Sequence, residues 1–175
     1  MNESSNVNHV NLDEMLERRE KRANLQAELL RKYHETVISF TMNIPGQIKT
    51  SKLIRAGFEI GKKSLLEKLH AKNFQINSMF EIHEKTGDEL LLSIKADADE
   101  LKQIAISIEE QNDLGRLFDI DVINSQGEKI SRDKFRKCLI CDRQAQECAR
   151  SRTHSVSEMQ DAVRKILENA AIIIA

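Results

Sequence analysis

The sequence is short of most of what a loop-rich or membrane-bound chain needs. Its 175 residues include one Pro, six Gly, one Tyr and no Trp. No apolar run approaches the ~20 residues that span a bilayer. The three Cys are an odd number confined to one short segment, which excludes a disulfide framework and fits a reducing compartment. A formal net charge of -1 gives no global attraction to nucleic acid or anionic lipid, and an aromatic content of 4% leaves few rings on which bases could stack. The N-terminus lacks a basic segment leading into an apolar run, so no secretory signal is expected. Together these absences predict a cytoplasmic protein with neither a membrane nor a nucleic acid as partner.

What is present is an ordinary globular composition, 40% hydrophobic and 31% charged. The length fits one domain with a core of its own. Residues 1-10 read as a polar, mobile tail rich in Asn and Ser, and residues 11-175 as a single domain.

In that domain a first helix opens near Leu12, with Asn11 as N-cap and Glu14 closing a capping box. Its expected inner stripe runs Leu12, Leu16, Arg19, Ala23, Gln26, Leu30 and Tyr33. Arg19 interrupts that stripe, either snorkelling or pairing at the core edge or facing a ligand. Ile38, Phe40 and Met42 alternate as a strand that runs into the turn Asn43-Ile44-Pro45-Gly46. With Lys49 beyond it, this turn either serves structure alone or offers backbone N-H groups and a cation to phosphate. A second helix, capped by Ser51, carries Gly57 and Gly61 for close packing on the sheet. Phe74, Ile76, Ser78, Phe80 and Ile82 alternate as one strand. Lys85-Thr86-Gly87-Asp88 turns the chain into the next, through Leu90, Leu92 and Ile94. A third helix is capped by Asp97 or Asp99, a strand follows at Phe118 to Val122, and the chain returns through Lys129 and Ile130. The last helix opens on the Ser155 to Glu158 capping box and packs through Val156, Met159, Val163, Ile166 and Leu167, with Ile172 to Ala175 docking on the body.

This order predicts an α+β domain whose mixed or antiparallel sheet of about five strands carries packed helices. Two arrangements fit it, a split βαβ (ferredoxin-like) order and a nucleotidyltransferase-like sheet.

The chemistry concentrates between Leu114 and His154. Phe118, Ile120 and Val122 alternate with Asp119 and Asp121, so a strand that buries the first set holds two carboxylates on its other face, roughly 7 Å apart. Such a pair suits Mg²⁺ and a phosphate-bearing substrate, and it equally suits an antiparallel strand with one wet face. Between Arg132 and Arg152 seven cationic residues meet three acidic ones, the charge layout of a metal-bridged polyphosphate site. Cys138, Cys141, Cys148 and His154 are spaced C-x2-C-x6-C-x5-H. That spacing fits a structural Zn²⁺ site, and it also fits reduced buried thiols in a constrained loop. His154 has three readings: metal ligand, base, or a side chain packed at the entry of the last helix.

Four separated motifs carry a resemblance that covers nearly all of the chain beyond the tail. They are Arg19-Glu20-Lys21-Arg22 with Gln26, Asn43-Ile44-Pro45-Gly46 with Lys49, Gly115-Arg116-Leu117-Phe118-Asp119-Ile120-Asp121-Val122, and Arg136 through His154. In these the chain resembles the apo-citrate lyase phosphoribosyl-dephospho-CoA transferases, the holo-acyl-carrier-protein synthases of citrate lyase. The resemblance implies an enzyme that takes 2'-(5''-triphosphoribosyl)-3'-dephospho-CoA and joins it by a phosphodiester bond to a serine of the acyl-carrier (gamma) subunit of citrate lyase, releasing diphosphate. The motifs do not assign individual roles, and the residues themselves suggest that Asp119 and Asp121 are to bind Mg²⁺, with the following roles expected of the others. Arg116, Arg150 and Arg152 hold phosphate oxygens. Lys49 with Asn43 and Gly46 closes the opposite side of the pocket, Arg19 faces substrate, and His154 is a candidate base. The competing expectation is a non-enzymatic module that binds nucleotides, or an assembly factor that binds the carrier without modifying it.

Overall fold

The computed structural model describes residues 9-174. The chain order is α1 (Leu12–Tyr33), β1 (Thr36–Met42), α2 (Lys52–Ala71), β2 (Gln75–Glu84), β3 (Gly87–Lys95), α3 (Ala98–Glu109), a 3-10 turn (Leu114–Leu117), β4 (Phe118–Ile123), α4 (Ala145–Ser151) and α5 (Val156–Ile174). The four strands form one sheet in the order β2-β3-β1-β4, every neighbouring pair antiparallel. With α2 and α3 as crossovers, this is the split βαβ arrangement and not the nucleotidyltransferase-like alternative. The fifth strand expected at Lys129 and Ile130 is reduced to a bridge between Ile123 and Lys129 and one hydrogen bond from Ile130 N-H to the Val122 carbonyl.

The caps form where the residues ask for them. Asn11 and Glu14 close a capping box on α1, Ser51 caps α2, Asp97 caps α3, and Ser155 with Glu158 opens α5. Each side-chain oxygen satisfies a backbone N-H that the first helical turn leaves without a partner.

The core lies between the sheet and the layer of α2, α3 and α5. Ile38, Phe40, Leu90, Leu92, Ile94, Phe118, Ile120 and Val122 bury one sheet face against Phe58, Leu65, Leu101, Ile108 and Leu167. Gly61 lets α2 sit against the rings below it. A Cβ there would lie 2.6 Å from the Phe40 ring and 2.8 Å from the Phe118 ring. Gly61→Ala is therefore expected to cost about 1–3 kcal/mol of overpacking, read as a lower midpoint in urea with an unchanged slope.

Beyond the reduced fifth strand, the structure departs from the sequence-based expectation in four places. First, His9 bridges to Ile48 and Val10 is buried, so these two residues belong to the folded body; residues 1-8 of the expected tail lie outside the described residues. Second, α1 covers the opposite sheet face, and its inner side carries Arg18, Arg22, Leu25 and Leu29, leaving Leu12, Leu16 and Arg19 outside, while Leu30 and Tyr33 of the expected stripe do pack on the cluster there. The reason is electrostatic: Arg18 and Arg22 both reach Glu89 on β3, at 2.5 Å each. Third, a bulge between Ile76 and Ser78 breaks the even alternation of β2. Ile76 packs on the main core, whereas Ile82 packs on the smaller cluster under α1. One extra residue reverses the face of everything beyond it. Fourth, Val156 is exposed, although Val163 and Leu167 pack as expected. The docking expected of Ile172 to Ala175 lies outside the described side chains. Among the described residues no helix is long and apolar enough to cross a membrane.

Candidate active site

The strand β4 buries Phe118, Ile120 and Val122 and turns Asp119 and Asp121 to the α1 side of the sheet. Antiparallel pairing sets Asp119 opposite Thr41 and Asp121 opposite Ser39, and Thr41 is in turn opposite Glu89 on β3. Asp119, Thr41 and Glu89 thus form a row across three strands, roughly 10 Å from end to end by the strand spacing. The two aspartates differ in their partners. Lys129 holds Asp121 at 2.6 Å, while the exposed Asp119 side chain has no ion pair or hydrogen bond among the described residues.

On one side of Asp119 lies a cleft of about 160 Å³ between α1, the loop after β1 and the β2-β3 hairpin, lined among others by Arg19, Arg22, Asn43, Lys49, Glu89 and Asp119. Lys49 donates to the Ile44 carbonyl at 2.5 Å. Burial, helped by the positive charge of Arg19, pushes its ammonium below the usual lysine range. The loop reaches this position because Gly46, after the only proline, takes φ +83 and backs closely onto Gln160 of α5. Beneath the cleft, Glu89 is 2% exposed and shared by Arg18 and Arg22. Asp88 beside it is held by Arg55 at 2.8 Å and His83 at 2.7 Å.

On the other side a wider cleft of about 570 Å³ runs along the open edge of β4, lined by Asn43, Asp119 and Asp121 with Lys102, Lys129, Arg132 and Arg136. An edge strand exposes unpaired backbone groups, and α3 covers them here. The Ile120 N-H donates to Glu109 at 2.8 Å and Lys102 Nζ donates to the Ile120 carbonyl at 3.4 Å. Arg136 and Arg132 then neutralise the buried Glu109. Burial pushes Lys102 below the usual lysine range, with Glu109 and Asp121 acting against it. The two clefts share Asn43 and Asp119.

The structure therefore gathers Asp119, Asn43, Lys49 and Arg19 around one cleft, with Asp121 next along the strand. Gly46 shapes the loop without lining either cleft. Arg116 faces a third cleft and donates to the Cys138 carbonyl at 2.7 Å. Arg150 and Arg152 are exposed on and after α4 and line none of the three clefts. Arg152 takes a left-handed φ of 49 as the helix ends. The ring of His154 lies 3.3 Å from Cys141 Sγ, among the cysteines. Sequence reasoning missed Arg18, Arg22, Glu89, Lys102 and Glu109. The one available signal was Leu91 between Leu90 and Leu92, which makes the strand apolar on both faces, so that Glu89, in phase with Leu91, is a charge that must find a buried partner.

With this geometry in view, comparison with known proteins places the chain. The family model described as apo-citrate lyase phosphoribosyl-dephospho-CoA transferase matches residues 10–170. A relative of that name from Citrobacter koseri is 35% identical over 165 residues, covering 92% of this chain and 90% of its own. Relatives of the same name from Shigella boydii and Escherichia coli O157:H7 are each 34% identical over 164 residues, covering 91% of this chain and 90% of theirs. The Asp119 strand, the Asn43 to Lys49 loop and the Cys segment all fall within the matched residues. The chain belongs to the family of apo-citrate lyase phosphoribosyl-dephospho-CoA transferases.

Proposed function

We propose that this chain transfers a phosphoribosyl-dephospho-CoA group from 2'-(5''-triphosphoribosyl)-3'-dephospho-CoA to a serine hydroxyl on the apo acyl-carrier subunit of citrate lyase, in the cytoplasm. The serine oxygen attacks the phosphorus nearest the ribose. The new P-O bond forms as the bond to the next phosphate breaks, diphosphate departs, and the hydroxyl proton passes to a carboxylate or solvent. The observation that supports this most is Asp119, a carboxylate without a polar partner among the described residues, at the junction of two clefts whose walls carry Arg19 and Lys49 on one side and Lys102, Arg132 and Arg136 on the other.

Cations on both sides suit a triphosphate, which spreads negative charge over many oxygens. Lys49 sits half-buried with its charge already disfavoured by burial and Arg19, so an anionic phosphate restores to that ammonium what the fold withholds. Asp119 and Asp121 offer the oxygen donors that a hard cation such as Mg²⁺ prefers, and Asp119 has no competing partner among the described residues. Such an ion, when bound, neutralises charge on the triphosphate and lowers the pKa of the attacking hydroxyl. The residues of the chain do the rest. Arg19 and Lys49 hold phosphate oxygens, Asn43 positions the donor between the clefts, and the Glu109 network fixes the wall along which the carrier's serine approaches.

Intact mass of purified apo acyl-carrier subunit, incubated with this protein, the triphosphoribosyl donor and Mg²⁺, tests the proposal when diphosphate is assayed in the same mixture. The expected result is a gain of one phosphoribosyl-dephospho-CoA unit, matched mole for mole by diphosphate. A carrier that binds without changing mass would instead make the chain an assembly factor.

A further inference from the structure

The segment between β4 and α5 has little to hold it by ordinary means. Residues 124-144 contain no helix or strand longer than an isolated bridge. Its best-defined piece is a loop closed by the Lys137 and Gln144 bridge and by two hydrogen bonds, Cys138 N-H to the Arg143 carbonyl and Ala145 N-H to the Arg136 carbonyl, each 2.8 Å. This loop carries Cys138 and Cys141. Cys148 comes from α4, and His154 from the linker before α5.

These four side chains converge. Their ligand atoms all lie within 4.8 Å of one another, with Cys138 and Cys148 buried and Cys141 and His154 half-buried. Cys141 Sγ is 3.5 Å from Cys148 Sγ and 3.3 Å from His154 Nε2. All three cysteines are free, and these sulfurs stand too far apart for a disulfide bond of about 2.05 Å. A tetrahedral zinc with bonds of about 2.3 Å to sulfur and 2.0 Å to nitrogen puts neighbouring ligand atoms about 3.5–3.8 Å apart; the two pairs around Cys141 lie within a few tenths of an ångström of that, and the whole set stays within 4.8 Å. A second feature points the same way: the Ile140 N-H is directed at Cys138 Sγ, 3.5 Å away. A backbone donor aimed at sulfur favours a thiolate, the form that binds metal.

We infer that Cys138, Cys141, Cys148 and His154 bind one structural Zn²⁺. Three sulfurs and one imidazole nitrogen are a donor set that selects zinc over Mg²⁺ or Ca²⁺. Four protein ligands leave no open position for water or substrate, so this metal holds structure and takes no part in the transfer. What it holds is the loop to α4 and to the entry of α5. The same loop feeds the wide cleft, because Arg136 pairs with Glu109 and Arg116 grips the Cys138 carbonyl. The zinc would thus fix one wall of the cleft from behind. This inference does not depend on the transfer reaction.

Metal analysis of the full-length protein, purified under reducing conditions without chelator or affinity metal, tests it directly. One zinc per chain is expected, released in full when a mercurial reagent titrates the three thiols. Refolding the metal-free chain with Co²⁺ is expected to give the intense visible bands of a tetrahedral thiolate site, and zinc should displace them. Cys141→Ser should lose at least tenfold in metal affinity, whereas Cys138→Ser and Cys148→Ser, which alter buried positions, are read by the same titration on whatever folds. Wild-type protein with less than about a tenth of an equivalent of zinc and no tetrahedral cobalt spectrum would overturn the assignment. Because these readouts need neither donor nor carrier, failure of the zinc site and failure of the transferase reading remain separate results.

Discussion

Asp119→Asn is expected to slow transfer to the carrier by about 100-fold or more, with the loss in kcat and the melting temperature nearly unchanged. In the proposed site Asp119 is the oxygen ligand that would hold Mg²⁺ against the triphosphate, and losing such a cation's stabilisation of developing negative charge typically costs about 100- to 1000-fold. Asparagine keeps the shape of aspartate and removes only its charge. Asp119 is exposed and its side chain has no partner among the described residues, so the fold loses almost nothing, within about 0.5 kcal/mol. Asp121→Asn gives the informative contrast. It breaks the 2.6 Å pair with Lys129, whose own side chain is 61% exposed, and a pair so open to solvent contributes only about 0–1 kcal/mol. Initial rates of diphosphate release at saturating carrier, alongside thermal melts, separate the two variants. An Asp119→Asn enzyme within threefold of wild type would remove this carboxylate from the chemistry.

The largest effect on stability is expected at Glu89→Gln. Glu89 is 2% exposed and is the shared counter-charge of Arg18, itself 5% exposed, and Arg22. Glutamine fits the space but leaves Arg22 without an anion among the described residues and Arg18 with only the half-exposed Glu84, 3.9 Å away. Both already carry a buried Nε with no hydrogen-bond partner among the described residues, so there is little slack in the network. Breaking a buried pair from one side costs about 3–5 kcal/mol, and for a chain of this length each kcal/mol lowers the melting temperature by about 2–4 °C. A drop of roughly 6–20 °C follows. The double variant Arg18→Met with Glu89→Leu should recover much of it, because a well-packed apolar pair often replaces a buried ion pair at no loss. If Glu89→Gln melted within 2 °C of wild type, α1 would have to be held by its apolar contacts alone.

The same ion pairs explain why the sequence misleads about α1. Leu12, Leu16, Arg19 and Ala23 make a respectable helical stripe, yet Leu12 is 71% exposed. An alternative stripe through Arg18, Arg22, Leu25 and Leu29 gains only when Glu89 is opposite it, and Glu89 lies about seventy residues further along the chain. Rotating the helix moves Arg19 from the expected inner face to the rim of the cleft, where it lowers the charge preference of Lys49. The error over β2 has a similar origin: a bulge is a property of pairing with β3, and period-two counting along a single strand does not contain it.

The proposed zinc ligands illustrate the opposite case. C-x2-C-x6-C-x5-H was legible as spacing, because thiols and an imidazole have few other reasons to recur within a short polar segment. Their convergence was not legible, since it requires α4 to turn Cys148 back towards the loop and the α5 entry to bring His154 beside Cys141.

By itself the sequence determined what depends on near neighbours. The alternation in β4 puts Asp119 and Asp121 on one face whatever lies around them, and the Asn11, Ser51, Asp97 and Ser155 caps each act within three residues. The strand and helix order limits the sheet to a few topologies, and the motifs place the chain in its family. Only the tertiary structure decided which of these residues meet. Arg19, Asn43, Lys49 and Asp119 come from three elements separated by up to a hundred residues, and they share a cleft because β1 pairs with β4 and because Glu89 draws α1 across the sheet. Arg116, Arg150 and Arg152, closer to Asp119 in sequence than Arg19 is, do not join them. Backbone periodicity is short-ranged, whereas the burial of one charge is resolved wherever in the chain its partner lies.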